Sequence, residues 1–194
     1  MRLEHEEING KHIFHNYGHG SGGIALAYGS AFLATKKFDN KIDQTKQNSC
    51  AVVGSGLIAL LTAVELTKKG QTVTVYADRF PKYGENDNSK RIASQVDEGL
   101  YLPFGYDIAD QLQYDLLSKI SHDYYKQCLK ANRYQSFKTT FVYERDASVA
   151  QLKKKIPGFI NNTYRTEKVS FGNGIPENFI RMKTIKIDTE MFLE

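Results

Sequence analysis

The sharpest pattern of apolar and polar positions along the chain lies in residues 50–80. Ala51–Val53 is a short apolar run that reads as a buried strand, and it stops at Gly54-Ser55-Gly56-Leu57-Ile58-Ala59. Leu57, Leu60, Leu61, Val64 and Leu66 then recur at helical spacing as far as Lys69, and Gly70 closes that stretch in the C-cap position. Thr72–Tyr76 is rich in β-branched residues and predicts a second strand, followed by Asp78.

Similar patterns lie on either side. Lys11–His15 predicts a short strand running into the glycine-dense loop Asn16–Gly23. Ile24, Leu26, Ala27, Ala31, Phe32 and Leu33 then predict a helix reaching about Phe38. Asp39–Ser49 is polar and unpatterned and reads as a linker, and Pro81–Lys90 is polar and turn-rich. Ile108–Asn132 carries a long amphipathic pattern, read as one or two helices with a break near Ser121. Strands are expected at Thr139–Tyr143, Thr166–Phe171 and Met182–Ile187. Turns are expected at Ile156–Gly158 and Gly172–Gly174, and a helix begins at Thr189.

A strand, a glycine turn, a helix and a second strand form the setting in which such glycines bind a dinucleotide. Gly54 permits the tight turn, and Gly56 lets the backbone approach a pyrophosphate with no Cβ in the way. The helix starting near Leu57 points its unpaired N–H groups and positive dipole end at phosphate. Ala59 replaces a third glycine with another small residue, and Asp78 stands where a carboxylate accepts from a ribose hydroxyl. The plainer alternative is a βαβ unit whose glycines only shape a turn.

Composition narrows the picture modestly. With 41% hydrophobic and 25% charged residues the chain reads as a soluble globular protein with at least one core. The net charge of +4 is spread out, so Lys153–Lys155 reads as a solvated face and not as a nucleic-acid patch. No apolar run has membrane-spanning length and the first residues are too charged for a signal peptide, which predicts a cytoplasmic protein without membrane contact. Cys50 and Cys128 lack metal-ligand spacing and suit a reducing compartment, and no metal is expected. His15 and His19 flank the glycine loop, a place for loop structuring or ligand hydrogen bonding, with metal ligation or acid–base work as alternatives. His5, His12 and His122 read as surface or packing residues.

His15-Asn-Tyr-Gly-His-Gly20 with the glycines after it resembles a signature of the D-amino-acid oxidase family of flavoenzymes. Val73–Phe80, ending in Ala-Asp-Arg-Phe, resembles that family's second strand. Gln95–Pro103 is similar to its flavin-contacting segment, with Asp97 and Glu98 where small residues usually stand. Met182–Thr189 is similar to the strand entering its substrate domain. The order differs, because the His-Asn-Tyr-Gly block normally follows the fingerprint near the C-terminus. A circular permutation joined through Asp39–Ser49 accounts for this.

The resemblance implies an α/β protein, a Rossmann-type FAD-binding parallel sheet with helices plus part of an antiparallel substrate domain. Residues 1–38 would be the permuted strand–loop–helix, 39–49 the linker, 50–140 the FAD-binding core and 141–194 an incomplete substrate domain with a return segment. The His12–His15 strand and the fingerprint strand are expected in one parallel sheet. Gly54, Gly56, Ile58, Asp78 and Arg79 match residues holding the ADP half of FAD, with Leu57 at the helix start. Ser94, Gln95, Gly99 and Leu100 match the path to the isoalloxazine ring, and Gly20, Gly22, Gly23 and Ile24 match the loop beside its pyrimidine end. The implied reaction is hydride transfer from a small amine or amino acid to flavin, with reoxidation by oxygen. The family's substrate-binding arginine and tyrosine have no match here, so no catalytic residue is assigned. Two alternatives stay open. One is an FAD-binding half that needs a second polypeptide. The other is a nicotinamide-dependent dehydrogenase, which the second glycine block disfavours.

Overall fold

Asn9 and Gly10 both have positive φ (51° and 72°), the backbone of a two-residue hairpin turn whose twist matches its flanking strands. They join β1 (Arg2–Ile8) to β2 (Lys11–Tyr17) in an antiparallel pair running from Arg2↔Tyr17 to Ile8↔Lys11. The computed structural model describes residues 1–43, 45–87, 89–96, 99–102, 110–131, 136–145, 164–170 and 174–193. It is mixed α/β, built from small sheets and packed helices.

After β2 a 3₁₀ turn at Gly20–Gly22 leads into α1 (Gly23–Asp39). α1 carries Ala25, Ala27, Gly29, Ala31 and Ala34 as buried small residues, so neighbouring helices approach it closely. β3 (Ser49–Val53) and β4 (Thr72–Tyr76) pair in parallel from Ser49↔Thr72 to Val53↔Tyr76, joined by α2 (Leu57–Lys68). The expected strand–turn–helix–strand unit is thus present, and Gly70 follows the helix end as the pattern required.

A short helix α3 (Ala93–Val96) precedes α4 (Gln111–Ala131). β5 (Phe137–Arg145), β6 (Tyr164–Ser170) and β7 (Pro176–Ile187) form an antiparallel sheet in the order β5-β7-β6, and α5 (Thr189–Leu193) follows. All three strands and the last helix lie where the pattern placed them, with longer β5 and β7. The turn residues 156–158 and 172–173, together with Asp97 and Glu98, lie outside the described residues.

Two expectations need correction. β2 does not share a parallel sheet with β3: it pairs with β1 instead, because the Asn9-Gly10 turn folds the two strands on each other. Among the described residues the parallel sheet has only β3 and β4. α4 also runs unbroken through Ser121, whose buried hydroxyl accepts the Gly29 amide at 2.8 Å from α1. The serine is a helix–helix contact and not a break.

One core joins the two halves of the molecule. Ile24, Ala27 and Ala31 of α1 and Leu57 and Leu61 of α2 pack in the same cluster as Tyr125 of α4 and Ile180, Met182, Ile185 and Ile187 of β7. α1 lies against both α2 and α4. A second cluster of Phe38, Val52, Ala63 and Leu66 covers one face of the β3–β4 pair. The opposite face bears Val53 and Tyr76, which are 84% and 57% exposed.

Candidate glycine-loop cleft

The two glycine loops, more than thirty positions apart in sequence, meet at one cleft of about 340 Å³. Its walls are Asn16–Gly20, Gly23, Ile24, Gly56–Ala59, Ala93 and Ser94. Local structure explains the meeting. The Gly54 amide donates to the Tyr76 carbonyl at 2.7 Å, which ties the end of β3 to the end of β4. Gly54 sits at φ 116°, a conformation that turns the chain sharply into α2 and is open mainly to glycine. Packing of α1 on α2 then brings both helix N-termini to the same opening.

Each α-helix begins with amides that lack an intrahelical partner, and its N-terminal end carries positive potential. In α2 the Leu60 amide bonds to the Gly56 carbonyl at 3.0 Å, so the amides of Ile58 and Ala59 precede the first helical bond. The Leu57 amide donates to Ser94 Oγ at 3.2 Å. Gly56 is extended (φ −74°, ψ 170°), and a Cβ there would meet only Ser94 Oγ, at 3.4 Å. On the other side Gly20 and Gly22 flank Ser21 in the turn before α1, and Gly23 is the first residue of that helix.

Of the residues expected at a cofactor site, the cleft gathers Gly20, Gly23, Ile24, Gly56, Leu57, Ile58 and Ser94. The others stand apart from its walls. Gly54 shapes the turn behind it. Gly22 caps α1, its amide donating to the His19 carbonyl at 3.1 Å. Arg79 touches the turn through its carbonyl, which accepts from the Ser55 hydroxyl, and its Nε lies 3.3 Å from the exposed Asp78 carboxylate. Gln95 is buried and structural: its Oε1 accepts from the Ile92 amide and its Nε2 donates to the Lys82 carbonyl, both at 3.0 Å. Gly99 and Leu100 lie against β7, where the Ile187 amide donates to the Gly99 carbonyl at 2.8 Å and Leu100 bridges Lys186. A Cβ on Gly99 would run into the Ile187 carbonyl, so glycine there serves close packing.

Asn16, Tyr17 and Gly18, within the His15–Gly20 signature but not expected as cofactor contacts, also line the cleft, as does Ala93. Asn16 Nδ2 donates weakly to Thr62 Oγ1 at 3.4 Å, while its Oδ1 is buried without a partner among the described residues. Both ring nitrogens of His19 are also buried and have no partner among the described residues. Burial pushes the His19 imidazole down to about 4, so it is neutral near pH 7. Unsatisfied buried polar atoms are costly, and two such side chains on one cleft mark a place where a ligand can supply hydrogen bonds.

These features fit a diphosphate: two helix N-termini, glycines that present no Cβ, and no carboxylate among the described lining residues. The volume is at the low end of ligand pockets and accommodates part of a dinucleotide. Among the described residues no three His, Cys, Asp or Glu side chains are grouped to hold a metal, and no helix is long and apolar enough to cross a membrane. No family model matches this chain, and no curated protein matches it either.

Proposed function

We propose that the protein binds FAD at the glycine-loop cleft and works as an oxidoreductase on a small amine or amino acid. One observation carries this reading: the His15–Gly23 loop and the Gly54–Ala59 loop converge on one opening, each feeding a helix N-terminus. A nicotinamide-binding fingerprint needs only one such loop. The amides of Ile58 and Ala59 would hold the diphosphate, with Gly56 allowing its approach. Asp78 lies two residues beyond the end of β4, exposed, where a ribose hydroxyl would reach it. The glycines at the start of α1 would face the second part of the cofactor, and Asn16 and His19 would offer it hydrogen bonds. When bound, the flavin supplies the hydride acceptor and is reoxidised by oxygen.

The resemblance to the D-amino-acid oxidase family supports the substrate class, and the permuted Rossmann-type arrangement goes with it. The test is anaerobic addition of D-amino acids or simple amines to the flavin-loaded chain. Loss of flavin absorbance near its visible maximum supports oxidase chemistry, and unchanged absorbance with every substrate counts against it.

A second reading is a flavin-holding half that acts only with another polypeptide. The uncovered face of the β3–β4 pair, with Val53 and Tyr76 exposed, favours it, because parallel strands are normally covered on both faces. Flavin retention without turnover, with turnover restored by a co-expressed partner, would select this form.

A further inference from the structure

We infer that His5 and His12 form a two-imidazole clamp for a divalent transition-metal ion, Cu²⁺ or Ni²⁺, on the β1–β2 hairpin. The site is separate from the cleft and does not depend on the flavin reading. The register pairs His5 with Phe14 and Glu7 with His12, which puts both histidines on the same face of the hairpin as diagonal neighbours. Their rings stack at 5.2 Å with an interplanar angle of 21°, and His5 Nε2 lies 3.0 Å from His12 Nδ1.

That separation has a chemical meaning. Two nitrogens 3.0 Å apart, each about 2.0–2.1 Å from one ion, subtend roughly a right angle at it. A tetrahedral zinc site wants a wider angle, whereas adjacent positions of a tetragonal Cu²⁺ or Ni²⁺ sphere want this one. In the free protein one ring donates its N–H to the other. Metal capture moves that proton to the outward nitrogen of the same ring, so both facing nitrogens become lone-pair donors and no net proton is lost. Water completes the sphere, and Glu7 adds a negative charge on the same face.

The pair is also held in place. His5 packs on Phe14 with centroids 4.7 Å apart, and Phe14 packs on Phe38 of α1 at 5.7 Å, which links the clamp to the core. His12 is exposed, leaving the ion a way in. The nearby His15 is not equivalent: it lies on the opposite face, and its Nε2 is engaged by Glu6 at 2.6 Å. An ion held by His5 and His12 would join β1 to β2 and stabilise the hairpin by mass action.

The test is titration of the untagged full chain with Cu²⁺, followed by calorimetry and electron paramagnetic resonance. The expected result is one tight equivalent whose hyperfine pattern reports two imidazole nitrogens. His5→Gln and His12→Gln, each checked for an unchanged circular dichroism spectrum, should weaken binding at least tenfold and remove the two-nitrogen pattern. His15→Gln should change neither. Binding that survives both His5→Gln and His12→Gln, or falls equally in His15→Gln, would overturn the assignment. So would the absence of a stoichiometric equivalent.

Discussion

The amide of Gly29 in α1 donates to the hydroxyl of Ser121 in α4 across 2.8 Å, at the point where the two helices press together. A Cβ at Gly29 would run into the Leu117 backbone carbonyl, so the position has no room for any side chain. Gly29→Ala should therefore lower stability by roughly 2–3 kcal/mol through overpacking. Ser121→Ala should cost less, roughly 0.5–1.5 kcal/mol, because the Gly29 amide lies within α1 and loses only this interhelical acceptor. Urea midpoints read at constant m-value check both. Equal stability of Gly29→Ala and the parent chain would mean that α1 and α4 do not pack this way.

Gly56 makes the opposite prediction. Its backbone conformation is open to any residue, and a Cβ there meets nothing closer than Ser94 Oγ at 3.4 Å. Gly56→Val should fold with a near-parental melting temperature, yet place a branched side chain where the diphosphate approaches. Flavin retention through gel filtration should fall at least tenfold. Retention at the parental level would remove the diphosphate from this side of the cleft.

Tyr125 ties α4 to the cleft wall. Its ring is buried in the core, and its hydroxyl donates to the carbonyl of Ile24, a lining residue, at 2.9 Å. Tyr125→Phe keeps the ring and removes this hydrogen bond, while the carbonyl stays within the α1 helix, so a loss of roughly 0.5–1.5 kcal/mol is expected. Thermal unfolding monitored by near-ultraviolet circular dichroism measures it.

The pH dependence follows from His19 and His122, both lowered by burial, His19 to about 4 from the ordinary 6.5. Below pH 6.5 the unfolded chain takes up a proton that the folded chain refuses until about pH 4. Stability is therefore fully present above 6.5 and falls as the pH drops towards 4. The expected loss is on the order of 1–3 kcal/mol. Unfolding midpoints at several pH values in that window, for the parent and His19→Gln, should show a shallower fall in the variant. Parallel slopes would contradict the assignment to His19.

How legible the fold was depended on the range of the interactions involved. The unit from Ala51 to Tyr76 could be read almost residue by residue, since Gly54, Gly56 and Gly70 punctuate it and the apolar periods between them are regular. β1 was not legible from apolar pattern, because Arg2, Glu4, Glu6 and Glu7 are charged and the strand is stabilised by pairing with β2. The Asn9-Gly10 turn was the available signal, and it provides β2 with an antiparallel partner in β1. Ser121 looked like a helix break because its partner, the Gly29 amide, is 92 positions away in the chain. At the cleft, glycines and helix starts were visible in sequence. The unpartnered atoms of Asn16 and His19 emerge only when two distant loops come together.

The most direct test of the central claim is the cofactor content of the purified chain. Acid denaturation should release FAD, identified by chromatography and fluorescence, at close to one equivalent per chain, and Gly56→Val should release little. A folded chain that releases no flavin, and binds none when FAD is added, would contradict the account.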